Sequence, residues 1–447
     1  MATSGPPWAY RLVMATATRA VPLVGRFDEK VARGLAGRRG LAERCAAWAA
    51  ASRDRRRPLV WFHAPSVGEG LQVKPVMEAL RCERAGWQLA YSFYSPSAER
   101  LAASLAADFT DYLPFDRPAE VRAMLDALTP TALVYGKLDV WPELTLAAAA
   151  RGVRLGLISA TVAPDSSRLA WPARRWARPA YAALERVGAI AADDAGRLER
   201  LGARPEAVRI TGDTRYDSVA ERAARLDWSR QPLATLAAHG RERFTIVAGS
   251  TWPGDEAVLL PAFAELLATG DARLVLAPHE PTPAHLAAAT ATARRHGLPR
   301  PVRLSQLAVE DVGASPFVLV DRIGVLADLY AVGHVAYVGG GYHRAGLHSV
   351  LEPAVFGLPI CFGPRWTGSR DAGLLLQRGA AVALPREGRT LLGERWQEWR
   401  RDPNARARAG RAAADVVREG RGATARTVAL VRELVERGGY GAGEPTA

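Results

Sequence analysis

Cysteine is nearly missing from this chain: 447 residues carry only Cys45, Cys82 and Cys361, far apart and without a C-x-x-C pair. A disulfide framework and a zinc knuckle lose their basis, and a reducing compartment fits. Lysine is equally scarce. Of 59 basic residues only Lys30, Lys74 and Lys137 are lysine, a skew that, with so much alanine, reads as coding bias in a GC-rich genome and discounts the basic excess as a sign of function. Long apolar runs are absent too. Spanning a bilayer takes roughly 20 uninterrupted apolar residues, and Arg11 and Arg19 break the N-terminal apolar stretch, which also lacks the h-region and cleavage site of a signal peptide. No H-E-x-x-H, Walker A loop or G-x-S-x-G occurs, so metalloprotease, P-loop NTPase and α/β-hydrolase readings lose their main support.

What is present is ordinary globular composition, 49% hydrophobic and 23% charged, with enough apolar material for a sizeable core and none of the bias of disordered or collagen-like chains. The length points to two domains. Charge is unevenly spread: residues 1–58 hold eleven arginines and Lys30 against Asp28, Glu29, Glu43 and Asp54, so most of the net +13 sits there. Such a segment attracts nucleic acid or an anionic membrane. Its neighbours favour the membrane, because Trp8, Tyr10, Leu12, Val13, Val21, Leu23, Val24 and Phe27 alternate with Arg11, Arg19 and Arg26. Residues 1–45 are therefore expected to lie on a membrane surface through apolar anchors and arginines. A solvated amphipathic helix packed on its own protein carries the same pattern.

From residue 58 onward short apolar runs alternate with longer helical patterns. Strands are expected at 58–64, 87–93, 132–135 and 154–158, with alanine-rich helices between them, which implies parallel β-α-β units. The run 208–217 and a polar helical stretch to residue 240 break this rhythm. A second block follows, with strands at 244–248, 273–277, 317–320, 335–338 and 359–362 and helices at 255–267, 282–296, 324–332 and 347–356. Residues 394–438 read as an arginine-rich helical tail. The expected organisation is thus α/β: an amphipathic segment 1–45, a doubly wound domain 46–217, a linker 218–240, a second doubly wound domain 241–395 and a tail 396–447. Two such halves imply ligand binding in a cleft at the carboxyl ends of their strands.

Several strand-to-helix loops can carry chemistry. His63-Ala64-Pro65-Ser66-Val67-Gly68-Glu69-Gly70 would point the Glu69 carboxylate out of the first strand as a general base toward a hydroxyl. Ser66-x-x-Glu69 is equally a capping box, in which both side chains satisfy backbone N–H groups. Lys137-Leu138-Asp139-Val140-Trp141-Pro142-Glu143 puts a cation, two carboxylates and an aromatic after a later strand, or is a solvated loop with a packed tryptophan. Ser250 and Thr251, at a helix start, offer an anion site or plain N-caps. Pro278-His279 ends the following strand. Gly339-Gly340-Gly341-Tyr342-His343-Arg344-Ala345-Gly346-Leu347-His348-Ser349-Val350-Leu351-Glu352 is the strongest signal in this half. Its glycines permit close ligand approach and positive φ, a helix starting near Leu347 would present its positive end to a phosphate, and Glu352, about one and a half turns in, would reach a ribose hydroxyl.

In these motifs and their order the chain resembles the 3-deoxy-D-manno-octulosonic acid (Kdo) transferases, GT-B glycosyltransferases of family 30 that move Kdo from CMP-Kdo onto the lipid A precursor. His63–Glu69 is similar to the family's H-A-x-S-V-G-E, Asp139-Val140-Trp141-Pro142 to E-L-W-P, and Gly212-Asp213-Thr214-Arg215-Tyr216-Asp217 to G-N-L-K-F-D. The run 339–363, with Leu351-Glu352-Pro353-Ala354, is the most specific match, and the resemblance extends over about residues 10–437. It implies two Rossmann-like domains around a cleft, with the acceptor bound by the first and the donor by the second. Glu69 would be the base. Asp139 and Arg215 would stabilise the transition state, where a cation suits the charge growing on the leaving phosphate. CMP would be bound by Pro278, His279, Ile323, Gly324, Val325, Ser349, Val350, Leu351 and Glu352, beside the Ser250, Thr251, Gly340, Gly341 and His348 picked out by the loop pattern.

The resemblance also implies no metal or other cofactor, no nucleic-acid partner, and a peripheral or monotopic place on the cytoplasmic side of the inner membrane. The chain departs from the family pattern at Lys137, where many members carry an acid, and in the donor site at Pro278, where the family has an arginine, and Ser349, where it has an asparagine. The expected activity is inverting Kdo transfer from CMP-Kdo to a lipid A precursor such as lipid IVA. The first alternative is a GT-B enzyme with another nucleotide sugar or acceptor, including one resembling UDP-GlcNAc 2-epimerase. The second is a non-catalytic arginine-rich protein binding nucleic acid or membrane, which leaves the 339–352 loop without a purpose.

Overall fold

The computed structural model describes residues 5–238, 243–307 and 315–436. The chain divides into two compact units, residues 1–217 with 421–447, and residues 218–420. The chain leaves the first unit after Asp217 and returns to it at Arg421. Residues 396–447, expected as one tail, are thereby shared: helix Pro403–Gly420 belongs to the second unit and helix Ala423–Glu436 to the first. Residues 239–240 of the expected linker and 437–447 of the expected tail lie outside the described residues. The described part of that linker forms helices Arg215–Ala224 and Leu233–Ala238.

In the first unit seven parallel strands lie in the order β3-β2-β1-β4-β5-β6-β7. They are β1 Leu59–His63, β2 Gln88–Phe93, β3 Phe109–Tyr112, β4 Ala132–Gly136, β5 Arg154–Ala160, β6 Arg186–Ala189 and β7 Val208–Ile210. Every residue of β1 is buried, because a parallel sheet flanked by helices is covered on both faces and its strands read as continuous apolar runs. Alternate side chains serve opposite faces: Leu59 and Trp61 enter one core cluster, Val60 and Phe62 the other. The second cluster is completed by Val428, Leu430, Val431, Leu434 and Val435 of helix Ala423–Glu436. Burying one such side chain contributes about 1.5–3 kcal/mol, so the returning C-terminal helix is part of this core.

The second unit repeats the plan in the order β10-β11-β9-β8-β12-β13-β14, with β8 Phe244–Thr251, β9 Ala272–Pro278, β10 Val302–Arg303, β11 Phe317–Leu319, β12 Val335–Val338, β13 Ile360–Phe362 and β14 Ala381–Ala383. In each sheet the chain first winds to one side of its founding strand and then crosses to the other, so the switch points lie between β1 and β4 and between β8 and β12. Loops leaving the carboxyl ends of strands at such a point are where doubly wound sheets bind ligands.

Three differences from the sequence reading have local causes. Strands β3, β6, β7, β10 and β14 were not expected; they hold two to four residues each, too short for a periodic signal. Their hydrogen-bonded neighbours define them. The helix expected at 347–356 is only Leu351–Ala354, since residues 339–350 follow an irregular path anchored by other groups. Residues 324–332 divide into helix Leu326–Leu329 and the 3-10 turn Tyr330–Val332. At the N-terminus, helices Trp8–Val24, Glu29–Arg38 and Leu41–Ser52 precede β1, and among the described residues no helix is long and apolar enough to cross a membrane.

Candidate functional site

In the first unit, helix Val67–Glu83 starts directly after β1 with Ser66 at its N-cap position. The expected capping box does not form. Ser66 makes no side-chain bond to the helix backbone; its hydroxyl donates instead to Glu69 Oε2. The other carboxylate oxygen, Oε1, accepts from Lys137 Nζ at 3.0 Å. Burial pushes the Glu69 carboxyl up, but the Ser66 bond and the Lys137 charge outweigh it and hold it below the usual glutamate range. Lys137, the first residue after β4, has φ +62°, a left-handed conformation costing a non-glycine residue about 1–3 kcal/mol.

The second carboxylate is braced from the opposite direction. Asp139 Oδ2 lies 2.8 Å from His63 Nε2 and accepts from Trp141 Nε1 at 2.9 Å, while Arg168 stands 3.6 Å from Oδ1. Burial raises the Asp139 carboxyl, and the bonds from His63 and Trp141 together with the Arg168 charge bring it below its ordinary value. His63 is fully buried, with Nδ1 3.0 Å from both the carbonyl and the hydroxyl of Ser92. Trp141 stacks on Tyr94 at 5.4 Å between ring centres. A group from the β4 loop thus holds the carboxylate that follows β1, and the last residue of β1 holds the carboxylate that follows β4.

Arg215 lies beyond β7 at the start of helix Arg215–Ala224. Its guanidinium bonds Asp213 Oδ2 through Nε at 2.9 Å and through Nη2 at 2.7 Å. Asp213 is buried and accepts from Gln72 Nε2 at 3.2 Å. Gln72 sits one turn after Glu69 on the same helix, so this side chain ties the Arg215 anchor to the element that carries Glu69.

The second unit holds its loops differently from the expectation. Strand β8 runs through Thr251, and Trp252 is the N-cap of helix Pro253–Ala268. The backbone N–H of Trp252 is satisfied by Asp255 Oδ2 at 2.9 Å, so neither Ser250 nor Thr251 caps this helix. Thr251 is fully buried and donates to Glu256 Oε1, which also meets His285 Nε2 at 3.0 Å. The Asp255 carboxylate accepts from the N–H of Gly340 at 2.8 Å, the N–H of Tyr342 at 3.3 Å and the Tyr337 hydroxyl at 3.0 Å. One side chain therefore joins the β8 and β12 loops at the switch point.

The glycines serve this backbone packing. Gly340 has φ +93°, and a Cβ on it would lie 2.2 Å from the Gly346 carbonyl oxygen. On Gly341 a Cβ would lie 2.5 Å from Gly363 Cα. Val350 and Leu351 turn into the core and Ser349 is exposed. Glu352 is the second residue of its four-residue helix, in the first turn. Burial raises its carboxyl against the pull of Arg222, and Asp328 raises it further. The loop Ile323, Gly324 and Val325, exposed at its first two residues, is held through Arg222, which bonds the Gly324 carbonyl at 3.3 Å and Asp328 at 2.9 Å.

Around these loops four aromatic rings gather, two of which the sequence reading did not single out. Trp252 stacks on His343 at 3.8 Å and 7° and on His279 at 4.9 Å, and His279 stacks on His348 at 4.3 Å. Trp252 Nε1 donates to His348 Nε2 at 3.2 Å. Burial and the neighbouring His279 and His343 push His348 down to about 4, so at neutral pH it is the uncharged acceptor this bond requires. Pro278 is buried at the end of β9 while His279 is exposed. No sequence period links positions 252, 279, 343 and 348; three separate loops bring them together.

Comparison with known proteins adds a family to this geometry. A family profile described as 3-deoxy-D-manno-octulosonic-acid transferase (kdotransferase) matches residues 38–218. The 3-deoxy-D-manno-octulosonic acid transferase of Bordetella pertussis is 32% identical over 343 residues, 74% of this chain and 77% of that protein. That of Haemophilus influenzae is 25% identical over 391 residues, 85% of this chain and 87% of that protein. Among solved structures, the UDP-GlcNAc 2-epimerase of Neisseria meningitidis matches with a TM-score of 0.61 at 15% identity, covering 84% of this chain and 100% of that one. A glycosyltransferase from Rickettsia africae matches with a TM-score of 0.56 at 8% identity over 86% of this chain and 100% of that one. At such identities the structures show the fold alone, and it is the GT-B pair of Rossmann-like units. The sequence relatives decide within that fold, and by them this chain belongs to the 3-deoxy-D-manno-octulosonic acid transferase family.

Proposed function

We propose that this protein transfers Kdo from CMP-Kdo to a lipid A precursor of the lipid IVA type, by a single inverting displacement. The observation that carries the reading is the Glu69 carboxylate, kept ionised between Ser66 and Lys137 at the carboxyl end of β1 in a member of the Kdo transferase family. In the proposed step Glu69 takes the proton of an acceptor hydroxyl. The freed oxygen bonds the anomeric carbon of Kdo, the bond from that carbon to the CMP phosphate oxygen breaks, and CMP leaves with the electron pair. The Glu69 proton then passes to solvent. Positioning of both reactants supplies much of the rate, and Asp139 and Arg215 stabilise the charge that develops. Donor binding falls to loops of the second unit, including His279, Gly340, Gly341, His348 and residues 349–352.

The same reading puts the protein on the cytoplasmic face of the inner membrane. Its support is an exposed apolar surface bordered by arginine: Trp8, Leu12, Val13, Leu23 and Val24 on helix Trp8–Val24, with Phe27 at 92% and Trp171 at 79% exposure. Tyr10 of that helix meets Trp176 at 6.2 Å, so the arginine-rich helix Ala173–Ala183 touches it at that point. Apolar side chains backed by cations suit an anionic lipid interface. Phe27→Asp is expected to reduce co-sedimentation with anionic vesicles severalfold and to leave neutral vesicles unaffected; equal binding of the variant to anionic vesicles sinks the assignment.

The deciding experiment for the activity is transfer in detergent with a tetraacylated lipid A precursor and CMP-Kdo generated in situ, read by mass spectrometry. A mass increase of one or more Kdo units is expected. No increase, beside an active control enzyme, overturns the choice of donor or acceptor and turns attention to Pro278 and Ser349. Turnover of UDP-GlcNAc would establish the epimerase-like alternative.

A further inference from the structure

The strained turn after β4 spends a left-handed lysine on one contact. Lys137 has φ +62°, its backbone N–H is bonded to the Ile158 carbonyl at 2.9 Å, and its side chain crosses to the β1 loop to reach Glu69 at 3.0 Å. We infer that Lys137 is the positioning residue that holds the Glu69 side chain and favours its carboxylate form, an inference that rests on the proposed role of Glu69 as base.

The geometry suits that role. Oε2 takes the Ser66 hydroxyl and Oε1 the Lys137 ammonium, and a carboxylate's roughly four lone-pair sites leave room for the hydroxyl to be deprotonated. The Glu69 side chain is only 18% exposed, and without a cation its burial would favour the protonated acid, which cannot accept a proton. Ser66 cannot replace the cation, because a neutral hydroxyl can also accept from the protonated form. Tyr91 of β2 is the other titratable group facing Glu69; burial and the Glu69 charge both raise its phenol, which stays neutral. His63, Asp139 and Arg168 engage one another. Lys137 is therefore the group whose charge answers the carboxylate.

The backbone supplies a clean variant. Lys137→Gly removes the amine at a position whose φ glycine adopts freely, so it is expected to fold, and Lys137→Arg keeps the charge. The test compares pH–rate profiles of kcat/KM for Kdo transfer in the wild type and both variants with carboxyl-carbon NMR titration of Glu69, assigned by its loss in Glu69→Gln. In Lys137→Gly the acid limb and the Glu69 midpoint should both rise by about one pH unit, with activity below the limb reduced about tenfold, and Lys137→Arg should bring both back toward the wild type. Coincident midpoints in all three proteins overturn the inference. A shifted midpoint with an unmoved acid limb overturns it too, because Glu69 ionisation then does not govern transfer. Should the wild type transfer no Kdo, the functional reading fails on that result alone, while the titration still decides whether Lys137 sets the ionisation of Glu69.

Discussion

Glu69 shows what a single residue can and cannot reveal. Its place after a buried strand was legible, because β1 is a continuous apolar run that ends in a polar turn. The sequence left two roles open, base and capping box, and the direction in which Ser66 donates removes the capping box. Lys137 was visible only as a charge in a loop; that it reaches across to another strand's turn depends on β1 and β4 being neighbours in the sheet. Glu69→Gln keeps the side-chain volume and removes the base. It should lower the transfer rate by about a hundred- to ten-thousand-fold with CMP affinity in calorimetry unchanged, and substantial turnover in this variant would remove Glu69 from the mechanism.

At the level of elements, helix Trp8–Val24 is pinned as well as exposed. The Tyr10 hydroxyl donates to Asp116 Oδ2 at 2.6 Å, and Arg11 bonds both oxygens of Glu143 at 2.7 and 3.0 Å. Asp116 also accepts the N–H groups of Glu143 and Leu144 at 2.9 and 2.8 Å, satisfying the start of helix Pro142–Ala149 that continues from the Asp139 loop. One helix therefore has a face packed on its own protein and an apolar face left exposed. Tyr10→Phe takes a hydrogen bond from a buried carboxylate and should cost about 2 kcal/mol, measured by denaturant unfolding. A loss near zero would mean that the helix is not latched there. The short strands and the Leu351–Ala354 helix show the opposite case, elements whose own sequence is too brief to declare them. The β12 loop is shaped by Asp255, a residue 85 positions from Gly340, a distance that no local pattern reports.

On the scale of the whole molecule, buried histidines and a buried carboxyl respond to acid with opposite sign. Burial and the nearby Arg406 push His334 down to about 4, and His348 is likewise pushed down to about 4. Unfolded histidine binds its proton near about 6.5, so the stability these two residues give the second unit is complete above that pH and is lost as pH falls toward 4. Asp116 in the first unit has the reverse sign: burial raises it to about 6 over the pull of its hydrogen bonds. Its contribution is full below the unfolded value of about 4 and is lost as pH rises through 6. Hydrogen exchange followed from neutral pH to about pH 5 should thus show the segment around His334 loosening, and His334→Asn should reduce that loss; the same pH dependence there in the variant would contradict it. What the sequence determined by itself was the alternation of buried strands with helices, hence two parallel doubly wound units, and the motifs that mark the family, because apolar runs and strand-end loops are local properties of the chain. Tertiary structure alone decided the pairing of Lys137 with Glu69, the His63–Asp139 brace, the four-ring cluster around Trp252 and the return of Ala423–Glu436 to the first core. Each of these joins residues distant in sequence, and only the order of strands in a sheet sets which of them meet.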